Sequence, residues 1–170
     1  PIADILFNMC MTVILAEVHT TVRQNAQLCW LGSDLPVSDF SQNRPVPLEA
    51  YADVTFVDDV AVVMHARTND RLITMIHVIV EALVTATETR GLAINFDRGK
   101  TEVLWNLAGR GTKQIKADAH LAGAVMKWTT KDGKPMQLPL CQEYKHLGSW
   151  LQTKHRHARE VAKRASAAKQ

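Results

Sequence analysis

Chemistry in this sequence concentrates at Phe56-Val57-Asp58-Asp59. Adjacent carboxylates on a tight turn flanked by apolar strands are held near one another, and their like charges repel in partly dry surroundings. A divalent cation relieves that repulsion. Magnesium prefers oxygen ligands, typically one or two carboxylates with phosphates and water completing the shell. The turn therefore supplies part of a two-ion phosphoryl-transfer site and needs a further carboxylate from elsewhere. A plainer reading stands beside this one, because hairpin turns favour aspartate for backbone reasons alone.

Other candidate sites meet their chemical requirements less well. Arg98-Gly99-Lys100-Thr101 has the end of a phosphate-binding loop, but Ile94 stands where the first glycine belongs. Cys141, His146, His155 and His157 lack any familiar zinc-ligand spacing, and a solvated basic segment accounts for the histidines. Trp105, Trp128 and Trp150 are able to stack on bases, yet isolated tryptophans in a strand-rich domain ordinarily belong to the core. His19 and Cys10 read as packing residues.

The elements that would position the two acids follow from periodicity. From about Ile2 to Arg23, helical spacing of Ile5, Met9, Val13, Ala16 and Thr20, with apolar residues on the neighbouring faces, predicts a largely buried helix. Turn formers crowd the stretch from Leu31 to Pro47, which reads as a loop within the domain. Between Ala50 and Ala66, Ala52, Val54 and Phe56 alternate with Tyr51, Asp53 and Thr55. Beyond the acids Val60, Val62 and Met64 resume the alternation, so two strands joined at Val57-Asp58 are expected. Asn69 is placed to cap a helix with Leu72, Ile76, Ile79, Leu83 and Ala86 on one face, and Gly91 to stop it. Short strands are expected over Leu92 to Phe96 and Thr101 to Trp105. Hairpins follow around Asp132-Gly133 and from Tyr144 to Trp150, and a basic helix starts near His155.

Size and composition bound the rest. The 170 residues, 46% hydrophobic and 22% charged, suffice for one core, so one domain or part of one is expected. Three cysteines, Cys10, Cys29 and Cys141, without CxxC spacing argue against a disulfide framework and for a reducing, intracellular setting. No apolar run reaches the length needed to span a bilayer, and the amino terminus lacks the basic region of a secretory signal, so a soluble protein without a membrane partner is expected. The net charge of +3 is unevenly placed. From Lys154 onward Lys154, Arg156, Arg159, Lys163, Arg164 and Lys169 face Glu160 alone, which suits a segment lying along a polyanion or, equally, a solvated helix end.

Four blocks of the chain, in order, resemble the reverse transcriptases of non-LTR retrotransposons. Pro1-Ile2-Ala3-Asp4-Ile5-Leu6-Phe7-Asn8 is similar to the helix start after their substrate-contacting glycine loop, usually close to Ser-Pro-x-Leu-Phe-Asn, from which Ile2-Ala3-Asp4 departs. Thr55-Phe56-Val57-Asp58-Asp59-Val60-Ala61-Val62 resembles their catalytic hairpin. Gly91-Leu92-Ala93-Ile94-Asn95 with Lys100-Thr101-Glu102-Val103-Leu104 resembles their Gly-Leu-x-x-Asn-x-x-Lys-Thr segment, with a slightly longer gap. Tyr144-Lys145-His146-Leu147-Gly148-Ser149-Trp150-Leu151 is similar to the hairpin that supports the primer end.

The resemblance implies an α+β fold: a reverse-transcriptase-like palm, an antiparallel sheet packed on helices, over residues 1–153, and the start of a thumb or connection over 154–170. It implies RNA-directed DNA polymerase activity in a full-length protein of the nucleus or cytoplasm. The partners would be an RNA template, a DNA primer and deoxynucleoside triphosphates, the cofactor magnesium or manganese. Asp58 would be the principal metal ligand, with Asp59 at or just outside the coordination shell; Tyr51-Ala52-Asp53 is a weaker candidate, because valine follows where a second acid should stand. Lys100 would meet the triphosphate or protonate the leaving pyrophosphate, or is an exposed strand-end lysine. Phe56, Val57, Asn95, Thr101, Leu147 and Gly148 would contact substrate or primer, Asn95 alternatively fixing its own loop. Lys154, Arg156, Arg159, Lys163 and Arg164 would lie on nucleic acid. The family's upstream aspartate and fingers have no counterpart in these residues, so they are expected to be an excerpt that binds magnesium weakly and does not polymerise alone. A non-catalytic retrotransposon remnant or nucleic-acid-binding module is the competing expectation, and a group II intron maturase shares the fold.

Overall fold

Apolar side chains recur all round the segment Ile2–Ala26, and in the computed structural model it forms one 25-residue helix, α1. The structure describes residues 2–26, 29–30, 50–56, 59–146, 149–152, 161 and 165–166. The chain divides by packing into two compact units, residues 1–93 and 94–170. The boundary expected at residue 153 separates roles, whereas the division by packing falls at residue 93.

In the first unit α1 packs on α2 (Asn69–Glu88), with Ile14, Val18 and Val22 meeting Met75, Ile79, Ala82 and Ala86 in a continuous core. This corrects the sequence reading of α1. Ile5, Met9 and Val13 are 61%, 63% and 53% exposed, and Ala16 and Thr20 are exposed as well. Because apolar residues surround this helix, period alone does not choose its inner face; the small Ala82 and Ala86 of α2 admit the 14–18–22 stripe, one residue round. A second correction concerns membranes. Ile5–Gln24 is long and apolar enough by length and composition to cross a bilayer and is 22% buried within the chain. Glu17, His19 and Arg23 interrupt the stretch without cancelling its average hydropathy.

Helix α2 begins at Thr68, whose hydroxyl accepts the Arg71 N–H at 3.2 Å. Asn69, expected as the cap, is instead the first helical residue and is buried. Thr68 wins because its backbone is extended while Asn69 is already helical. At the other end Gly91 takes the left-handed conformation at φ +70°, and the Leu92 N–H closes on the Thr87 carbonyl at 3.0 Å. Strands β1 (Cys29–Trp30), β2 (Ala50–Phe56) and β3 (Asp59–His65) form one sheet in that order. β2 and β3 are antiparallel from Ala50↔His65 to Phe56↔Asp59, while β1 runs parallel to β2. The loop expected over 31–47 lies outside the described residues.

The second unit holds β4 (Val103–Leu104), α3 (Thr112–Leu121), β5 (Val125–Thr129), β6 (Pro135–Cys141), β7 (Glu143–His146) and β8 (Ser149–Gln152). β5 and β6 are the hairpin expected at Asp132-Gly133, where Gly133 has φ +85°, and β7 and β8 are the hairpin expected after Tyr144. β4 pairs parallel with β6, giving the order β4-β6-β5. The strand expected over Leu92 to Phe96 is absent: turns about Gly91 and Asn95 take up that backbone. Helix α3 was not expected, since none of its residues is buried and it offers little apolar period. The protein is thus α+β, with mixed rather than purely antiparallel three-stranded sheets. The basic helix expected from His155 falls largely outside the described residues.

Candidate functional site

The β2–β3 ribbon ends in the pair Phe56↔Asp59, which leaves Val57 and Asp58 as the connection. Both of these lie outside the described residues, as do Leu147, Gly148, Lys154, Arg156, Arg159, Lys163 and Arg164. The strand alternation that predicted a ribbon around the acids therefore produced one, and Phe56 and Asp59 occupy the register positions that close it.

Asp53, three residues before the end of β2, is held by α1. His19 Nε2 lies 2.9 Å from Asp53 Oδ1, with the two side chains only 16% and 11% exposed. A carboxylate here accepts, so the ring donates from Nε2. Sequence reasoning set His19 aside as a packing residue. The signal that could have flagged it is its place beside Leu15, Val18 and Val22 on the inner side of the helix, where an unpaired imidazole would be costly. Two residues earlier Glu17 meets Arg90 at 2.7 Å, and Arg90 also donates to the Ala86 carbonyl at 2.7 Å. α1 is thereby tied to the end of α2 as well as to β2.

In the second unit the segment carrying Asn95, Lys100 and Thr101 folds back on itself. The Asn95 side-chain oxygen accepts the Asp97 N–H at 2.8 Å. Its backbone carbonyl accepts from Thr101 at 3.1 Å, and the Asp97 carbonyl accepts from Lys100 at 3.0 Å. Asn95 thus fixes its own loop. Arg98 anchors that loop through a 2.6 Å bond to the Gly123 carbonyl. Tyr144, at the start of β7, donates its hydroxyl to the Lys100 carbonyl at 3.0 Å. Two blocks 44 residues apart in sequence are brought together at the backbone of Lys100, whose side chain is exposed.

Among the described residues no group of three His, Cys, Asp or Glu side chains forms a metal cage. In donor chemistry the adjacent acids Asp58 and Asp59 fit a hard divalent cation, and Asp53 is engaged by His19 instead. Cys141 is a poor candidate for zinc: burial and then the neighbouring Glu102 push its thiol up to about 11, whereas a zinc ligand must be a thiolate. Trp105 and Trp128 are half-buried, and His155 and His157 lie outside the described residues. No protein-family model, curated protein or solved structure matches the chain.

Proposed function

We propose that the chain is part of a reverse-transcriptase palm of the non-LTR retrotransposon kind, joining deoxynucleotides to a primer on an RNA template within a longer protein. The observation that supports this reading is the β2–β3 ribbon, whose antiparallel pairing runs to Phe56↔Asp59 on either side of Val57-Asp58 in the sequence. Tyr144 bonding to Lys100 adds support, since the two blocks that would serve the triphosphate and the primer end share a hydrogen bond. On this reading Asp58 is the principal metal ligand and Asp59 steadies it. Bound divalent cations supply a lowered pKa at the primer 3′ hydroxyl and neutralise triphosphate charge. Lys100 is exposed on a loop fixed at both of its backbone groups, and on this reading it would meet phosphate oxygens or give a proton to pyrophosphate. Primer extension by a longer polypeptide carrying fingers ahead of Pro1 tests the reading. Asp58→Asn should lower the rate by about a thousandfold or more; activity indifferent to that change refutes the metal assignment.

A second reading, a non-catalytic nucleic-acid-binding module, is favoured by charge. Residues 94–170 hold fifteen Lys and Arg against six Asp and Glu, while residues 1–93 hold five against eleven. Retention on a primer-template by the Asp58→Asn chain, with no extension by either form of the longer polypeptide, supports that alternative.

A further inference from the structure

None of the residues of α3 (Thr112–Leu121) is buried. Thr112, Ile115 and Ala119 are half-buried and mark the face turned toward the rest of its unit. At about 100° per residue, Lys113, Lys116 and His120 gather on one flank of the helix, and all three are exposed. The one acid of α3, Asp118, stands on the opposite flank, where Gln114 donates to its carboxylate at 2.8 Å. Among the described residues no acid forms a salt bridge with Lys113 or Lys116. These two lysines are three residues apart on a helix, where like charges repel. A polyanion laid along the flank relieves that repulsion.

The cationic tract continues past the end of the helix. The Gly123 N–H closes on the His120 carbonyl at 3.0 Å, and Arg98 donates to the Gly123 carbonyl at 2.6 Å. That bond brings the exposed loop carrying Arg98 and Lys100 to the carboxyl end of α3. From Lys113 to His120 the helix rises about 10 Å, the axial length over which one nucleic-acid strand presents about three phosphates. A lipid surface fits less well, because an interfacial helix needs a broad apolar face, and the large apolar residue that α3 exposes is Leu121 at its very end, 84% exposed.

We propose that the flank of α3 bearing Lys113, Lys116 and His120, continued by Arg98 and Lys100, is a docking surface for the phosphate backbone of nucleic acid, read without regard to base sequence. The inference rests on the reading, common to both forms of the proposed function, that the chain meets nucleic acid, and it does not depend on the cation turn.

The probe is a fluorescein-labelled RNA–DNA hybrid duplex of about 20 base pairs, titrated with the full-length chain by fluorescence anisotropy between roughly 50 and 200 mM salt. Circular dichroism confirms that each variant is folded. The double variant Lys113→Gln/Lys116→Gln should bind about tenfold or more weakly and lower the slope of log affinity against log salt by about two. Ala117→Lys places a further cation beside Lys113 and should raise that slope by about one. Asp118→Asn makes the same change in net charge on the opposite flank and should leave the slope where it was. A double variant that binds like wild type, or an equal response to Ala117→Lys and Asp118→Asn, overturns the α3 surface while leaving nucleic-acid binding elsewhere on the chain. Wild type that ignores the duplex overturns the surface and the reading beneath it together. Wild type that is retained on phosphatidylserine vesicles in preference to the duplex, with the double variant released, assigns the flank to a membrane and overturns the proposal.

Discussion

His77 shows how burial on α2 limits what a side chain can do. Burial holds its imidazole below the ordinary value, with Glu81, one turn further on, pulling the other way. The folded chain therefore resists taking a proton that the unfolded chain accepts at its ordinary pKa of 6.5. Stability from this residue is present above that value and is lost as pH falls below it. The urea midpoint should drop between about pH 7.5 and about pH 5, and His77→Gln should flatten that part of the profile; an unchanged slope in the variant would show that other groups carry the dependence. Asp53 illustrates the same principle by another route. A carboxylate five positions before Asp58 looks available in sequence, yet its partner lies 34 residues away on α1, beyond the reach of any local pattern.

At the scale of elements, the β2–β3 ribbon and α2 were legible because each is specified by near neighbours. Alternating β-branched residues on both sides of two acids call for a hairpin, and Gly91 ends α2 through a left-handed turn that a side chain would disfavour. The start of α2 was misread by one residue, since Thr68 and Asn69 are both able caps and the backbone had to choose. Thr68→Ala should cost about 1 kcal/mol, read as a lower urea midpoint, whereas Asn69 substitutions should act through burial rather than capping. If Thr68→Ala is neutral and Asn69→Ala removes the capping contribution, the assignment of the cap is wrong. Strand β6 carries Pro135 and Pro139 although it lies between β4 and β5. The short β4 pairs only with Leu140 and Cys141, so each proline sits where just one side of β6 is paired, as proline requires.

Across the whole molecule the charges divide with the packing. An acidic first unit carries the candidate cation turn, and a basic second unit carries Lys100, the β7–β8 hairpin and the cationic tail. Such a division matches a chain that holds cations at one place and polyanions at another. Binding of the full chain to a primer-template should weaken by about a hundredfold or more between roughly 50 and 200 mM salt if some five phosphates are neutralised, and removing residues 154–170 should flatten that slope. A salt-independent affinity, or a slope unaltered by the truncation, would remove the tail from the interface.

The sequence by itself determined the presence of α1 and α2, the stop of α2 at Gly91, the three hairpins and the order of the residues suited to chemistry, because turn chemistry, capping and period act over a few neighbouring residues. Tertiary structure alone decided which stripe of α1 is inside, that β1 and β4 join their sheets in parallel, and that Leu92 to Phe96 serves turns rather than a strand. It alone brought His19 to Asp53 and Tyr144 to Lys100. Each of those outcomes depends on which distant surface is available to pack against, and where apolar residues occupy every face, as on α1, the pattern along the chain holds no preference for tertiary contacts to obey.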